Sequence, residues 1–160
     1  MAGDPATGAR VGAEGCRILE QVGDKGWLST ASAEIAECLA ELGQLDEAYA
    51  LTVRSEELGA SDDMANEERW RQARARILAK RGAFEEAERL AREALAISGQ
   101  MQHPDGWAFM TMGDVLEHAG KTDEATEWYR RALESFEEKG IVAWADYVSE
   151  RLRSLGELDE

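Results

Sequence analysis

The chain has 160 residues, 44% of them apolar and 32% charged, which suits one globular domain with a real core and excludes a chain disordered throughout. Its 18 lysines and arginines stand against 33 acids, a net charge of −15 that repels phosphate backbones and argues against nucleic acid as a partner. Cys16 and Cys38 lack metal-ligand spacing and no apolar run suits a leader or a membrane span, so buried reduced thiols in a cytoplasmic chain are expected.

The opening MAGDPATGAR is small and polar, and residues 1–9 read as a disordered terminus. From about residue 10 to 22, Val11, Ile18, Leu19 and Val22 recur on one side of a helix that is half of a helix pair. Three similar segments follow: LGQLDEAYALTVRSEELG from Leu42, RGAFEEAERLAREALAISG from Arg81, and AGKTDEATEWYRRALESFEEKG from Ala119. Each places a glycine (Gly43, Gly82, Gly120) before an acidic pair and an alanine, and the glycines stand 39 and 38 residues apart, with Gly156 a further 36 on. A left-handed glycine stops one helix, and acids favour the positive end of the next. The stretches before each glycine are helical too: WAFMTMGDVLEHAG repeats Phe109, Met112, Leu116 and Ala119 at three-to-four spacing. We call the helix before each glycine A and the one after it B. The connections GASDDMANE and GQMQHPDG carry loop residues, and a last A helix, VAWADYVSERLRSLG, closes the array. The chain is rich in Ala, Glu, Leu and Arg and has only two prolines, so about eight helices and no strands are expected. The expected units are about 29–60, 64–99 and 106–140 within one domain over 10–156, with half units at each end and a tail at 157–160.

This pattern resembles the tetratricopeptide repeat (TPR) family. In the third unit Phe109, Met112, Gly113 and Leu116, then Ala125, Tyr129 and Ala132, fall at the family's large-small-large and Ala-aromatic-Ala spacings. The first unit has Ile35, Ala36, Leu39, Leu45 and Ala48, but Thr52 and Ser55 where an aromatic and an alanine are usual. The second has Ala75, Leu78, Phe84, Ala87 and Ala94, but sets Arg71 and Arg74 at two apolar positions. The resemblance implies an all-α, right-handed TPR-like α-solenoid whose small residues let paired helices approach closely. A narrower resemblance is to the C-terminal helical repeats of actinobacterial-type signalling proteins, where such arrays follow a cyclase-like or AAA-type ATPase module. It implies a scaffold or regulatory module, a monomer or part of a larger signalling protein.

Catalytic chemistry is not evident. His103 lies in a loop beside Pro104 and His118 near the helix end at Gly120; neither has a second ligand at metal spacing. Glu85–Arg89 and Glu88–Arg92 are four apart and read as solvated helix pairs. With no phosphate-binding loop or dinucleotide motif, no enzyme, cofactor or metal is expected. Trp27, Trp70, Trp107 and Trp144 each stand near the start of an A helix and are expected to rivet it to the preceding B helix, although the family register turns Trp107 to the concave face.

The stretch RWRQARARILAKRG concentrates six of the chain's cations on one helix. At 100° per residue, Arg74 falls among Trp70, Ile77 and Leu78, with Arg71 and Arg81 flanking that arc. Arg74 is thus expected to be buried, its stem filling space left by Ala91 and its charge paired with Glu56 or Glu57. Arg69, Gln72, Arg76 and Lys80 share the opposite side. The TPR register implies that this stripe lines the concave groove, with Ala33, Glu37 and Glu41 before it and Trp107, Met110, Asp114 and Glu117 after it. One reading makes the stripe a seat for an acidic or C-terminal peptide anchored on Trp107 and Met110; the other makes it a charge lattice that neutralises neighbouring helices. A sensor of a signal peptide or small ligand in the same groove is a further alternative. The Lys and Asn carboxylate clamp of chaperone-binding TPR domains is not reproduced. In the final helix Asp146, Glu150 and Arg153 are expected to face outward as a cap.

Overall fold

Glycine ends these helices for a steric reason. Gly43, Gly82 and Gly120 have φ of 77°, 80° and 75°, a conformation strained for residues with a Cβ. At Gly82 this closes a double hydrogen bond over the helix end: its N–H donates to the Ala79 carbonyl at 3.0 Å and that of Ala83 to Leu78 at 2.9 Å. The same pattern recurs at Gly43 and Gly120. Each following helix begins on an acidic pair: Asp46 and Glu47, Glu85 and Glu86, Asp123 and Glu124.

The computed structural model describes residues 4–101 and 106–156. Among them are eight α-helices and no strand: α1 (Pro5–Val22), α2 (Lys25–Glu41), α3 (Leu45–Leu58), α4 (Met64–Lys80), α5 (Phe84–Ser98), α6 (Gly106–His118), α7 (Thr122–Glu138) and α8 (Val142–Ser154). The A/B pairs are α2/α3, α4/α5 and α6/α7, flanked by α1 and α8. The A helices α2, α4 and α6 lie side by side, so the chain is an α-solenoid of helix pairs.

Several expectations are corrected. The helix expected from about residue 10 begins at Pro5, because Asp4 accepts from the N–H groups of Ala6 and Thr7 and proline suits a first helical turn. Residues 1–3, the tail at 157–160, and His103 with Pro104 lie outside the described residues. Of the apolar side read from the sequence, Val11, Ile18 and Val22 are exposed and only Leu19 is partly buried. Instead α1 meets α2 through Gly8, Gly12 and Cys16: a Cβ at Gly12 would stand 2.5 Å from Ile35 Cγ1, so glycine permits an approach that larger residues would block. Both cysteines are free, but Cys38 is only half-buried. Trp27 is exposed and rivets nothing, whereas Trp70 is buried. Trp144 does pack on the preceding B helix, its ring 6.3 Å from that of Phe136.

The core is apolar between α6 and α7, where Met112, Leu116, Tyr129 and Phe136 are fully buried. Between α2, α3 and α4 it includes a buried polar group, Asn66, whose Oδ1 accepts from Ser29 and, at 3.3 Å, from Ser55.

Candidate functional site

Successive residues of α4 point in directions 100° apart, so its cations meet different neighbours. Arg74 is buried. Its Nε donates to Thr52 Oγ1 at 3.0 Å, and Nη2 lies 2.8 Å from Glu56 Oε2 in a less well-directed ion pair. The guanidinium stacks 4.4 Å over Trp70 and 5.5 Å from the Tyr49 ring. The Glu56 partner is one of the two expected from the sequence, and the guanidinium's polar and ring contacts are with α3 and Trp70. Thr52, small where an aromatic is usual, leaves room for the guanidinium. Arg71 stacks on Trp70 and pairs with Glu67 and Glu93, and Arg81 pairs with Asp46 at 2.5 Å. On α5, Arg92 pairs with Glu88 as expected, while Arg89 pairs with Glu86 and Glu93 in place of Glu85.

On the groove side the A helices alternate in charge. Arg76 donates from Nε to Asp114 Oδ2 at 2.8 Å and from Nη1 to the Glu37 carboxylate, so one guanidinium ties α4 to both α2 and α6. Lys80 Nζ donates to Glu41 Oε1 at 2.7 Å. On α6, Asp114 Oδ1 and Glu117 Oε2 lie 2.8 and 2.7 Å from the Tyr129 hydroxyl, whose single proton serves one of them at a time. Glu117 also accepts from Arg151 on α8. Acidic α2, basic α4, acidic α6 and basic α8 therefore face the groove in turn. His118 Nδ1 is 2.8 Å from the Asp114 carbonyl oxygen, which only accepts, so that nitrogen carries its proton.

These pairings set the proton affinities. Burial works against the Arg76 charge, but Glu37 and Asp114 outweigh it and its pKa rises. Burial also opposes the charge of Glu41, yet the hydrogen bond and charge of Lys80 hold its carboxyl below the ordinary value. Tyr147 is pushed up to about 12, by burial first and then by Asp114.

Two adjoining cavities occupy the groove. One of about 340 Å³ is lined by Glu41, Arg76, Lys80, Asp114, Glu117, His118, Tyr147 and Arg151. The other, smaller one is lined also by Ala40, Ala73, Met110 and Trp144, of which the first three are buried. Of the residues expected there, Arg76, Lys80, Met110 and Asp114 come together. Gln72 does not: it is buried, donating to Glu68 Oε1 at 2.6 Å. Trp107 lines neither cavity, because its ring packs on Phe136 and Trp144 at 5.1 and 6.3 Å, though its carbonyl oxygen lies 3.5 Å from Arg76 Nη2. Arg69 is half-buried, and no ion pair of it is found among the described residues. Sequence reasoning missed Trp144, Tyr147 and Arg151. They stand 37 residues after Trp107, Met110 and Asp114, so the repeat offset carries the signal that finds them.

Among the described residues no group of three or more His, Cys, Asp or Glu is placed to hold a metal, and no helix is long and apolar enough to cross a membrane. A search of curated proteins found no match. The family model of the tetratricopeptide repeat matches residues 70–138, from within α4 to the end of α7. The match and the helix-pair architecture together support the tetratricopeptide repeat family, whose arrays generally mediate protein–protein interaction and are typically non-catalytic.

Proposed function

We propose that this chain is a non-catalytic interaction module, a scaffold or regulatory part of a bacterial signalling protein, that takes a partner segment in the groove between its A helices. The observation that carries the reading is a cavity of mixed lining: Ala40, Ala73, Met110 and Trp144 share it with Lys80, Glu41 and Tyr147. An apolar side chain of the bound segment packs on the apolar lining, and its polar groups meet the charged one.

The pairing narrows what an acidic segment can use. Arg76 is committed to Glu37 and Asp114 and acts as a lattice post. Lys80 is the available cation, since its counter-ion Glu41 is nearly half exposed. Arg69 is half-buried and lines neither cavity. The stripe thus divides, with Arg76 supporting the array and Lys80 supporting recognition.

Selection from a displayed random-peptide library against the intact chain tests this. Selected peptides carry an acid near an apolar residue, and their affinity falls as salt rises. Lys80→Gln weakens binding by roughly fivefold, the size of a rim ion pair of about 1 kcal/mol, and leaves melting almost unchanged. Arg76→Gln lowers melting. Peptides that bind Lys80→Gln and Tyr147→Ala as well as the parent would sink the groove reading. The cavity of about 340 Å³ lined by Arg76, Lys80, Tyr147 and Arg151 also favours a second reading, a sensor of a signal peptide or small ligand. In that case a metabolite panel raises the melting temperature while the peptide library yields nothing.

A further inference from the structure

The first helix buries its smaller face. Toward α2 it presents Gly8, Gly12 and Cys16; a Cβ at Gly8 would stand 2.8 Å from Cys38 Sγ. Its large apolar residues face solvent: Val11, Ile18 and Val22 are 54%, 53% and 70% exposed. A surface helix with no other contact turns its large residues inward. With Gly15, these residues form the series 11, 15, 18, 22, whose steps of four, three and four make the seam of a two-helix coil.

Three observations select a second copy of the chain as the occupant. The seam reads the same in both directions, so two antiparallel helices set Val11 of one copy against Val22 of the other, and Ile18 over Gly15. A Cβ at Gly15 would meet nothing within 4 Å, which leaves a gap for the Ile18 side chain. Charge agrees. Two bodies of net charge −15 repel each other, but α1 carries Arg10 and Arg17 against Glu14 and Glu20 and is neutral. The far end of the array also decides the symmetry. Phe109 packs on Trp128 and Gly113 on Tyr129, but at the 37-residue offset α8 has exposed Asp146 and Glu150. That face offers no seat for another B helix, so a head-to-tail filament is closed off and a twofold pair remains.

We infer that the outward face of α1 is a self-association surface, on which two copies pair antiparallel about a twofold axis between Gly15 and Ile18. Sedimentation velocity from low micromolar to near-millimolar chain tests it. The mass rises from 17.7 kDa toward twice that value. Ile18→Glu and Gly15→Phe, both at open positions, hold the single-chain mass with unchanged helical circular dichroism, while Val142→Glu on α8 still doubles. A parent chain that stays at 17.7 kDa throughout assigns the face to a different polypeptide and overturns the proposal. So does a doubled mass that survives Ile18→Glu, or one that Val142→Glu abolishes. A dimer that survives Gly15→Phe alone overturns the antiparallel seating.

Discussion

The two halves of the array are held by different chemistry. Between α6 and α7, rings lie on glycines: a Cβ at Gly113 would be 2.6 Å from the Tyr129 ring and one at Gly106 2.8 Å from that of Phe136. Between α2, α3 and α4 the equivalent layer includes Asn66 with Ser29 and Ser55, and Arg74 with Thr52. The family match, residues 70–138, spans α5 to α7 and most of α4, so it takes in both the ring-and-glycine seam and Arg74. The first seam rests on the fit of rings over glycines, the second on which donor meets which acceptor.

The largest expected effect lies in the apolar half. Phe136→Ala removes a fully buried ring and should lower unfolding stability by about 3–5 kcal/mol, measured by urea denaturation. A loss under 1 kcal/mol would show that α7 can collapse into the space, and the halves would then differ less than their contacts suggest.

Arg74 sharpens the contrast. Arg74→Ala should cost about 2–3 kcal/mol through the lost Thr52 hydrogen bond and ring stacking, less than for a fully buried pair because Glu56 is 45% exposed. Arg74→Met, which keeps an apolar stem but not the guanidinium, should recover part of that loss, since Thr52 Oγ1 also bonds the Tyr49 carbonyl and is not stranded. Equal losses for Ala and Met would place the stabilisation in the charge. Asn66→Ala should cost about 1–2 kcal/mol by stripping Ser29 and Ser55 of their acceptor. If the melting midpoint does not move, the buried polar group is not what joins these helices.

The smallest effect is a pH dependence. Glu41 has a folded-state pKa below the ordinary 4.5, so its pair with Lys80 stabilises the fold above that value and is lost as pH falls through the folded pKa. The contribution of this half-exposed pair should be under about 1 kcal/mol. Lys80→Met should flatten the acid limb of a stability–pH curve below about 4.5; an unchanged limb would mean the pair contributes nothing.

Much of this was legible because it is local or periodic. Arg74 could be placed inside, and its partner narrowed to Glu56 or Glu57, because helix angle and repeat register are both readable from position; the structure selects Glu56. Lys80 and Arg76 were correctly set toward acidic helices for the same reason. Gln72 shares their side of the helical wheel, yet it is buried with Glu68, because a wheel shows direction and not how far a neighbour extends over it. Trp107 divides similarly: register turns it to the groove, but its ring packs on Phe136 and Trp144, on the following helices and not on the preceding B helix.

The helix ends at Gly43, Gly82 and Gly120 and the acidic starts that follow them were determined by sequence alone, since capping and dipole effects act within a turn of the residue that causes them. The burial of α1 was decided only in the tertiary structure. Its apolar residues are plain in the sequence, but its glycine side lets the backbone approach Ile35 and Cys38, and that closeness exists only once α2 is in place. The sharing of Arg76 between Glu37 and Asp114 likewise needed three helices at fixed distances, so the division of the basic stripe into structural and available cations appears only in the assembled array.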